Sequence, residues 1–240
     1  MDYAALAQAM LQAIPAEISG KTAASKDGAG SLVLVATPIG HRGDITLRAL
    51  VTLAQADLIL CEDTRQSGAL LRAYGIATPL LSYNEHNAAA REGEILDRAQ
   101  RGACIALVSD AGTPVISDPG WRLVSACRAA NIVVTACPGP VAQVTGLVVS
   151  GLPPQPYLFA GFLPARAAAR RQELAPWAAL PATLVFYEAP SRLAASLADM
   201  LTVCGDRPAA VARELTKLHE ECRVGNLSVL AAHYAVTPPK

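Results

Sequence analysis

The chain has no surplus of either charge: 20 lysines and arginines balance 20 aspartates and glutamates across 240 residues. A dedicated, non-specific nucleic-acid binder is visibly basic, so any RNA contact has to come from a local patch. An apolar run of about 18 residues is also missing, which excludes a membrane-crossing helix. The opening residues lack a basic stretch and carry Asp2, so neither a secretory signal nor a membrane location is expected, and the protein is expected in the cytoplasm. Cys61, Cys104, Cys127, Cys137, Cys204 and Cys222 stand apart with no CxxC pair. They read as small buried thiols, not as disulfides or zinc ligands. The four histidines show no ligand spacing, and no metal is expected. Neither a GxGxxG turn nor a GxxxxGK run followed by Ser or Thr occurs, which removes two common nucleotide-binding modes.

Present instead is a chain that is 52% hydrophobic and only 17% charged, enough to build a sizeable core. Tyr3 to Ile14 reads as a short amphipathic helix and Gly20 to Gly30 as a small-residue linker, so residues 1–30 form an extension. Leu32-Val33-Leu34-Val35-Ala36 is a continuous apolar run, as suits a strand buried on both faces. Similar runs follow at Leu58 to Cys61, Ile105 to Val108 and Ile132 to Thr135, with a shorter extended piece at Pro79 to Ser82. Helical stretches lie between them, with Asp44 and Asn87 as candidate caps. This alternation predicts an α/β fold with a mostly parallel sheet in a first lobe, residues 31–150. Gly151 to Pro156, rich in proline, marks the link to a second lobe over 151–240. There, strands at Leu158 to Ala160, Thr183 to Tyr187 and Ala209 to Arg213, with helices from Arg166 and Ser191, predict a smaller mixed sheet with helices.

Polar and turn-forming residues gather just after the predicted strands, at the sheet edge where open α/β folds bind ligands. Thr37-Pro38-Ile39-Gly40 is one such turn. The longest is Ser109-Asp110-Ala111-Gly112-Thr113-Pro114-Val115-Ile116-Ser117-Asp118-Pro119-Gly120, more turn formers than a plain connector requires. Cys137-Pro138-Gly139-Pro140-Val141 is the third, and a simple turn accounts for it equally well. Glu62-Asp63-Thr64-Arg65 and Tyr83-Asn84-Glu85-His86-Asn87 form polar clusters able to position a substrate, with His86 able to move a proton near neutral pH. In the second lobe, Phe186-Tyr187-Glu188-Ala189-Pro190-Ser191-Arg192 and Arg213-Glu214-Leu215-Thr216-Lys217 follow strands, and Arg166, Arg170 and Arg171 begin a helix. These cations suit phosphate contacts, and a solvated, salt-bridged face is the competing reading.

Taken together, VATPIGHRGDITLRAL, CEDTRQSGALL, VSDAGTPVISDPGWRLV, PGP, SGLP, FAGFLPAR, FYEAPSRL and ARELTKLHEE span residues 31 to about 227. In this order they resemble the tetrapyrrole methylase superfamily, and within it the members that methylate the 2′-oxygen of a cytidine in small-subunit ribosomal RNA. The resemblance implies a two-lobed fold, S-adenosylmethionine bound between the lobes, and a homodimer. The substrate it implies is small-subunit ribosomal RNA, free or in the assembled subunit. It implies a cofactor lining of Pro38, Ser109, Asp110, Ala111, Thr113, Pro138, Gly139, Pro140 and Val141, joined by Phe186, Tyr187 and Ala212. Glu62, Arg65 and His86 are the candidates for orienting the ribose hydroxyl, and Arg166, Arg170, Arg192, Arg213 and Lys217 for holding RNA. His41, Arg42, Ser191 and Val141 depart from the family's usual residues, which weakens an RNA role for His41 and Ser191. The family continues past Leu227 into another strand, so the second lobe reads as shortened at its end. A tetrapyrrole or other small-molecule methylase, and an inert module of the same fold, are the alternatives.

Overall fold

The computed structural model describes residues 2–13 and 30–239. The expected linker lies outside them except for Gly30. The chain divides into two compact units, Met1–Val141 and Ala142–Lys240, so the division falls before the proline-rich stretch expected to mark it.

The first unit holds a five-stranded sheet of order β3-β2-β4-β1-β5, every pairing parallel. Its strands are β1 (Ser31–Val35), β2 (Leu58–Cys61), β3 (Leu80–Ser82), β4 (Cys104–Leu107) and β5 (Val133–Cys137). The helices are α1 (Tyr3–Ala13), α2 (Leu47–Gln55), α3 (Thr64–Ala73), α4 (Ala88–Gln100) and α5 (Trp121–Ala129). Strand geometry sends successive side chains to opposite faces. Val33, Val35, Ile59, Cys61, Ala106 and Val108 therefore pack with Leu50, Leu53 and Leu71 on one side. Leu32, Leu58, Leu60, Ile105 and Leu107 pack with Ile95, Ala99, Leu123 and Cys127 on the other. A large side chain fully hidden in this way contributes about 1.5–3 kcal/mol. The continuous apolar runs are thus explained by burial on both faces.

Two local expectations are corrected. The cap of α2 is Thr46, whose hydroxyl accepts from the Ala49 N–H at 3.1 Å; Asp44 instead closes a single 3-10 turn, Arg42–Asp44. Asn87 precedes α4 without capping it, because its side-chain oxygen accepts from the Asn84 N–H at 2.8 Å. In addition, α1 is part of the first unit's packing: Ala7 is buried against α2 and α3 and Tyr3 meets Tyr74 edge to face.

The second unit contains α6 (Ala142–Val149), β6 (Tyr157–Phe162), α7 (Ala167–Leu174), β7 (Thr183–Tyr187), α8 (Leu193–Cys204), β8 (Pro208–Arg213), β9 (Glu221–Asn226) and α9 (Leu227–Val236). Among the described residues its strands form two ribbons, β6 parallel to β7 and β8 antiparallel to β9. The expected mixed sheet thus divides into one parallel and one antiparallel pair. A small core of Leu197, Leu227, Leu230 and Tyr234 joins α8 to α9.

Candidate functional site

All five first-unit strands are parallel, so the loops after them emerge at one edge. Strands β1 and β4 are neighbours, yet β1 leads to α2 on one face and β4 to α5 on the other. Such a divergence opens a crevice between the two loops. Here the loops are tied across it. The Thr37 N–H donates to the Gly112 carbonyl at 2.9 Å and the Gly112 N–H donates back at 3.1 Å. The Thr37 hydroxyl donates to the Ser109 carbonyl at 3.2 Å, and the Thr113 hydroxyl donates to the Pro140 carbonyl at 3.1 Å. Gly139 has no room for a side chain, since a Cβ there would lie 2.9 Å from that of Ala36. Pro38, Ser109, Asp110, Ala111, Thr113, Pro138, Gly139, Pro140 and Val141 are in this way gathered on the linked loops of β1, β4 and β5.

Beside them lies a carboxyl cluster. Strands β2 and β4 are adjacent, which sets Glu62 next to the long β4 loop. Glu62 hydrogen-bonds Asp118, and its Oε1 is buried with no partner among the described residues. Burial, reinforced by the negative charges of Asp118, Asp110 and Glu85, pushes the Glu62 carboxyl up to about 7. Burial also raises Asp118, partly offset by hydrogen bonds from Ser109 and Glu62. Below about 7 Glu62 therefore keeps its proton, with the Asp118 carboxyl as its hydrogen-bond partner. Asp110 accepts from the Asp63 N–H at 3.4 Å, which ties the β2 and β4 loops.

Arg65 and His86 stand differently. Asp63 caps α3 and also binds the Arg65 guanidinium at 3.0 Å, leaving Arg65 90% exposed. Its carboxylate is held below the usual range by that hydrogen bonding. His86 is exposed, and Glu85, not His86, is the neighbour that acts on Glu62. Of the three candidates, only Glu62 joins the half-buried carboxyl cluster. Asp118, its partner, had no separate signal in the sequence beyond its place in the long loop.

In the second unit, Phe186 and Tyr187 end β7. Phe186 lies 6.1 Å from the Trp177 ring, and the Tyr187 hydroxyl donates to Gln143 at 2.5 Å. Ala212, on β8, pairs with Cys222 of β9 and faces Gly146 of α6. The candidate RNA-binding cations separate into groups. Arg166 is exposed just before α7. Arg170 is corrected: it is 3% exposed, bound to Asp199 at 2.6 Å and to the carbonyls of Pro164 and Ala165, so its donors are spent inside the unit. Arg171 shares Asp199 from the surface. Arg192, Arg213 and Lys217 are paired with Glu188, Glu221 and Glu214, respectively. Lys217 is the more exposed of these three and the easiest to redirect. No group of His, Cys, Asp and Glu suited to a metal ion occurs among the described residues.

This arrangement has counterparts. The family described as Tetrapyrrole (Corrin/Porphyrin) Methylases matches residues 31–231. The Ribosomal RNA small subunit methyltransferase I of Mesorhizobium japonicum is 52% identical over 206 residues, covering 85% of this chain and 70% of that protein. The protein of the same name from Thermotoga maritima is 47% identical over 210 residues, covering 88% of this chain and 94% of its own length. Among solved structures, the uroporphyrin-III C-methyl transferase of Thermus thermophilus complexed with S-adenyl homocysteine superposes with a TM-score of 0.59 at 20% identity, covering 85% of this chain and 91% of that one. That last likeness is one of fold.

Proposed function

Since the chain belongs to the tetrapyrrole methylase family, we propose that it transfers a methyl group from S-adenosylmethionine to the 2′-oxygen of a cytidine in small-subunit ribosomal RNA. The two units correspond to the two lobes of this enzyme, which acts in the cytoplasm as a homodimer on the small subunit or its RNA. The observation that carries the reading is the linkage of the β1, β4 and β5 loops beside a half-buried carboxyl pair.

The residues present fit the cofactor. The linked loops offer close-approaching backbone around Pro38, Ser109 to Thr113 and Pro138 to Val141, and the neighbouring acids favour a cationic sulfonium. When bound, S-adenosylmethionine supplies a methyl carbon already made electrophilic by that sulfonium. The protein's own task is alignment and proton removal. Holding the ribose oxygen in line at near-attack distance is the larger part, since it converts an encounter into an intramolecular step. A hydroxyl is a weak nucleophile at neutral pH, so a proton acceptor helps. With its carboxyl raised to about 7, Glu62 is close to half ionised near neutrality, and in its ionised form it would accept the proton that the 2′-hydroxyl gives up. Asp118 positions it. Phe186, Tyr187 and Ala212 add second-unit contacts to the cofactor, while Arg166 and Lys217 engage RNA phosphates.

The decisive experiment is incubation with labelled S-adenosylmethionine and unmodified small subunits, followed by mapping of the modified ribose. Label on a cytidine 2′-oxygen is expected. Label that appears only on a tetrapyrrole acceptor, or nowhere, refutes the reading.

A further inference from the structure

The chain contains two tryptophans, and they are used in opposite ways. Trp177 is half-buried against Phe186. Trp121 is 61% exposed at the first residue of α5, directly after the long β4 loop. Its placement at the strand edge is enforced by Gly120, which takes φ +137° and lies where a Cβ would meet Leu107 at 2.8 Å and Val115 at 2.9 Å. Val115 itself sits at φ 77°, a left-handed conformation that a β-branched residue adopts only when its surroundings impose it. The loop is thus pressed onto the tip of β4, and the indole emerges beside it. Ile116, half exposed, lies in the same loop. The Arg122 guanidinium carbon stands 5.4 Å from the indole centroid and makes no ion pair among the described residues. The surrounding loop carries Asp110 and Asp118, and Arg122 is a cation set against the ring. The open indole face with the Arg122 guanidinium set against it is the arrangement that suits a base.

We propose that Trp121, steadied by Arg122, is the platform on which a nucleobase of the RNA substrate stacks while its ribose is presented to the first unit's strand edge. Unstacked bases in single-stranded RNA are held on aromatic rings and guanidinium planes in this manner. The assignment rests on the reading that the chain methylates RNA, and makes Trp121 a positioning residue for that reaction.

The test measures kcat and KM for unmodified small subunits with labelled S-adenosylmethionine, in wild type and in Trp121→Ala, Trp121→Phe and Trp121→Leu. Removing one stacked base should raise KM about tenfold or more in Trp121→Ala, with little change in kcat. Trp121→Phe should recover most of the loss and Trp121→Leu should not, while calorimetric affinity for S-adenosylmethionine stays as in wild type. An unchanged KM in Trp121→Ala overturns the proposal. So does full recovery by Trp121→Leu, which would mean an unspecific apolar contact. A change in subunit number on sedimentation of Trp121→Ala would assign the ring to a protein contact instead. If wild type itself transfers no methyl group to small subunits, the functional reading fails first and this platform with it.

Discussion

In the first unit Val33, Ile59 and Ala106 are wholly hidden at the middle of three adjacent strands, whereas no residue of β6, β7, β8 or β9 in the second unit is fully buried. Both sets of strands are rich in apolar residues. The difference is what lies on their faces: in the first unit helices cover the sheet twice, and in the second the ribbons carry Phe159, Val185 and Val211 only half-covered. Stability in the first unit accordingly comes from area removed from water. The second relies more on particular polar ties such as Arg170 with Asp199.

The sharpest way to break this comparison is Asp199→Ala. It strands the buried Arg170 guanidinium, and the unfolding free energy of the chain should fall by about 3–5 kcal/mol. A loss below about 1 kcal/mol, as for a surface pair, would show that the second unit does not rest on this tie. Next in size is Ile59→Ala, which empties a fully buried site and should cost about 2–5 kcal/mol. Val185→Ala, half-covered, should cost less than half as much by the same denaturant titration. Equal losses would erase the distinction between the units.

Glu62→Gln sharpens the comparison from the side of chemistry. Loss of a proton acceptor should lower kcat about a hundredfold at pH 8. Wild-type activity should rise with pH through about 7, and the variant should lose that rise. Stability should move the other way. A carboxyl raised on folding keeps a proton that the unfolded chain has released, so wild type is progressively destabilised as pH climbs from about 4.5 to about 7. Above that window Glu62→Gln should be the more stable by on the order of 2 kcal/mol, and below it the two should converge. Melting curves at pH 4 and pH 8 check the sign. The smallest effect belongs to the second unit's exposed cation. Lys217→Ala should raise KM for small subunits about threefold at low salt, and the difference should fade as salt rises. A salt-independent effect would remove Lys217 from the phosphate contacts.

Much of the candidate site was legible because turns announce themselves locally. Proline, glycine and small polar residues after an apolar run mark strand tips, and Pro38, the Ser109 to Thr113 loop and Pro138 to Val141 all stand there. What escaped was pairing between distant segments. Glu62 and Asp118 meet because β2 and β4 are neighbours, a fact of strand order that neither loop encodes. Arg170 looked like a member of a basic helix start. Asp199, on another helix, draws it inside.

By itself, then, the sequence determined the periodicities: which runs are strands hidden on both faces, where helices alternate with them, and which family signature they carry. Those properties follow from short-range geometry and from the transfer of apolar surface out of water. The tertiary structure alone decided which carboxyls share a proton, which arginine is consumed in the interior and which tryptophan is left facing water. Such outcomes depend on contacts between residues far apart in the chain, and the electrostatics of each group is set by whichever neighbours packing delivers.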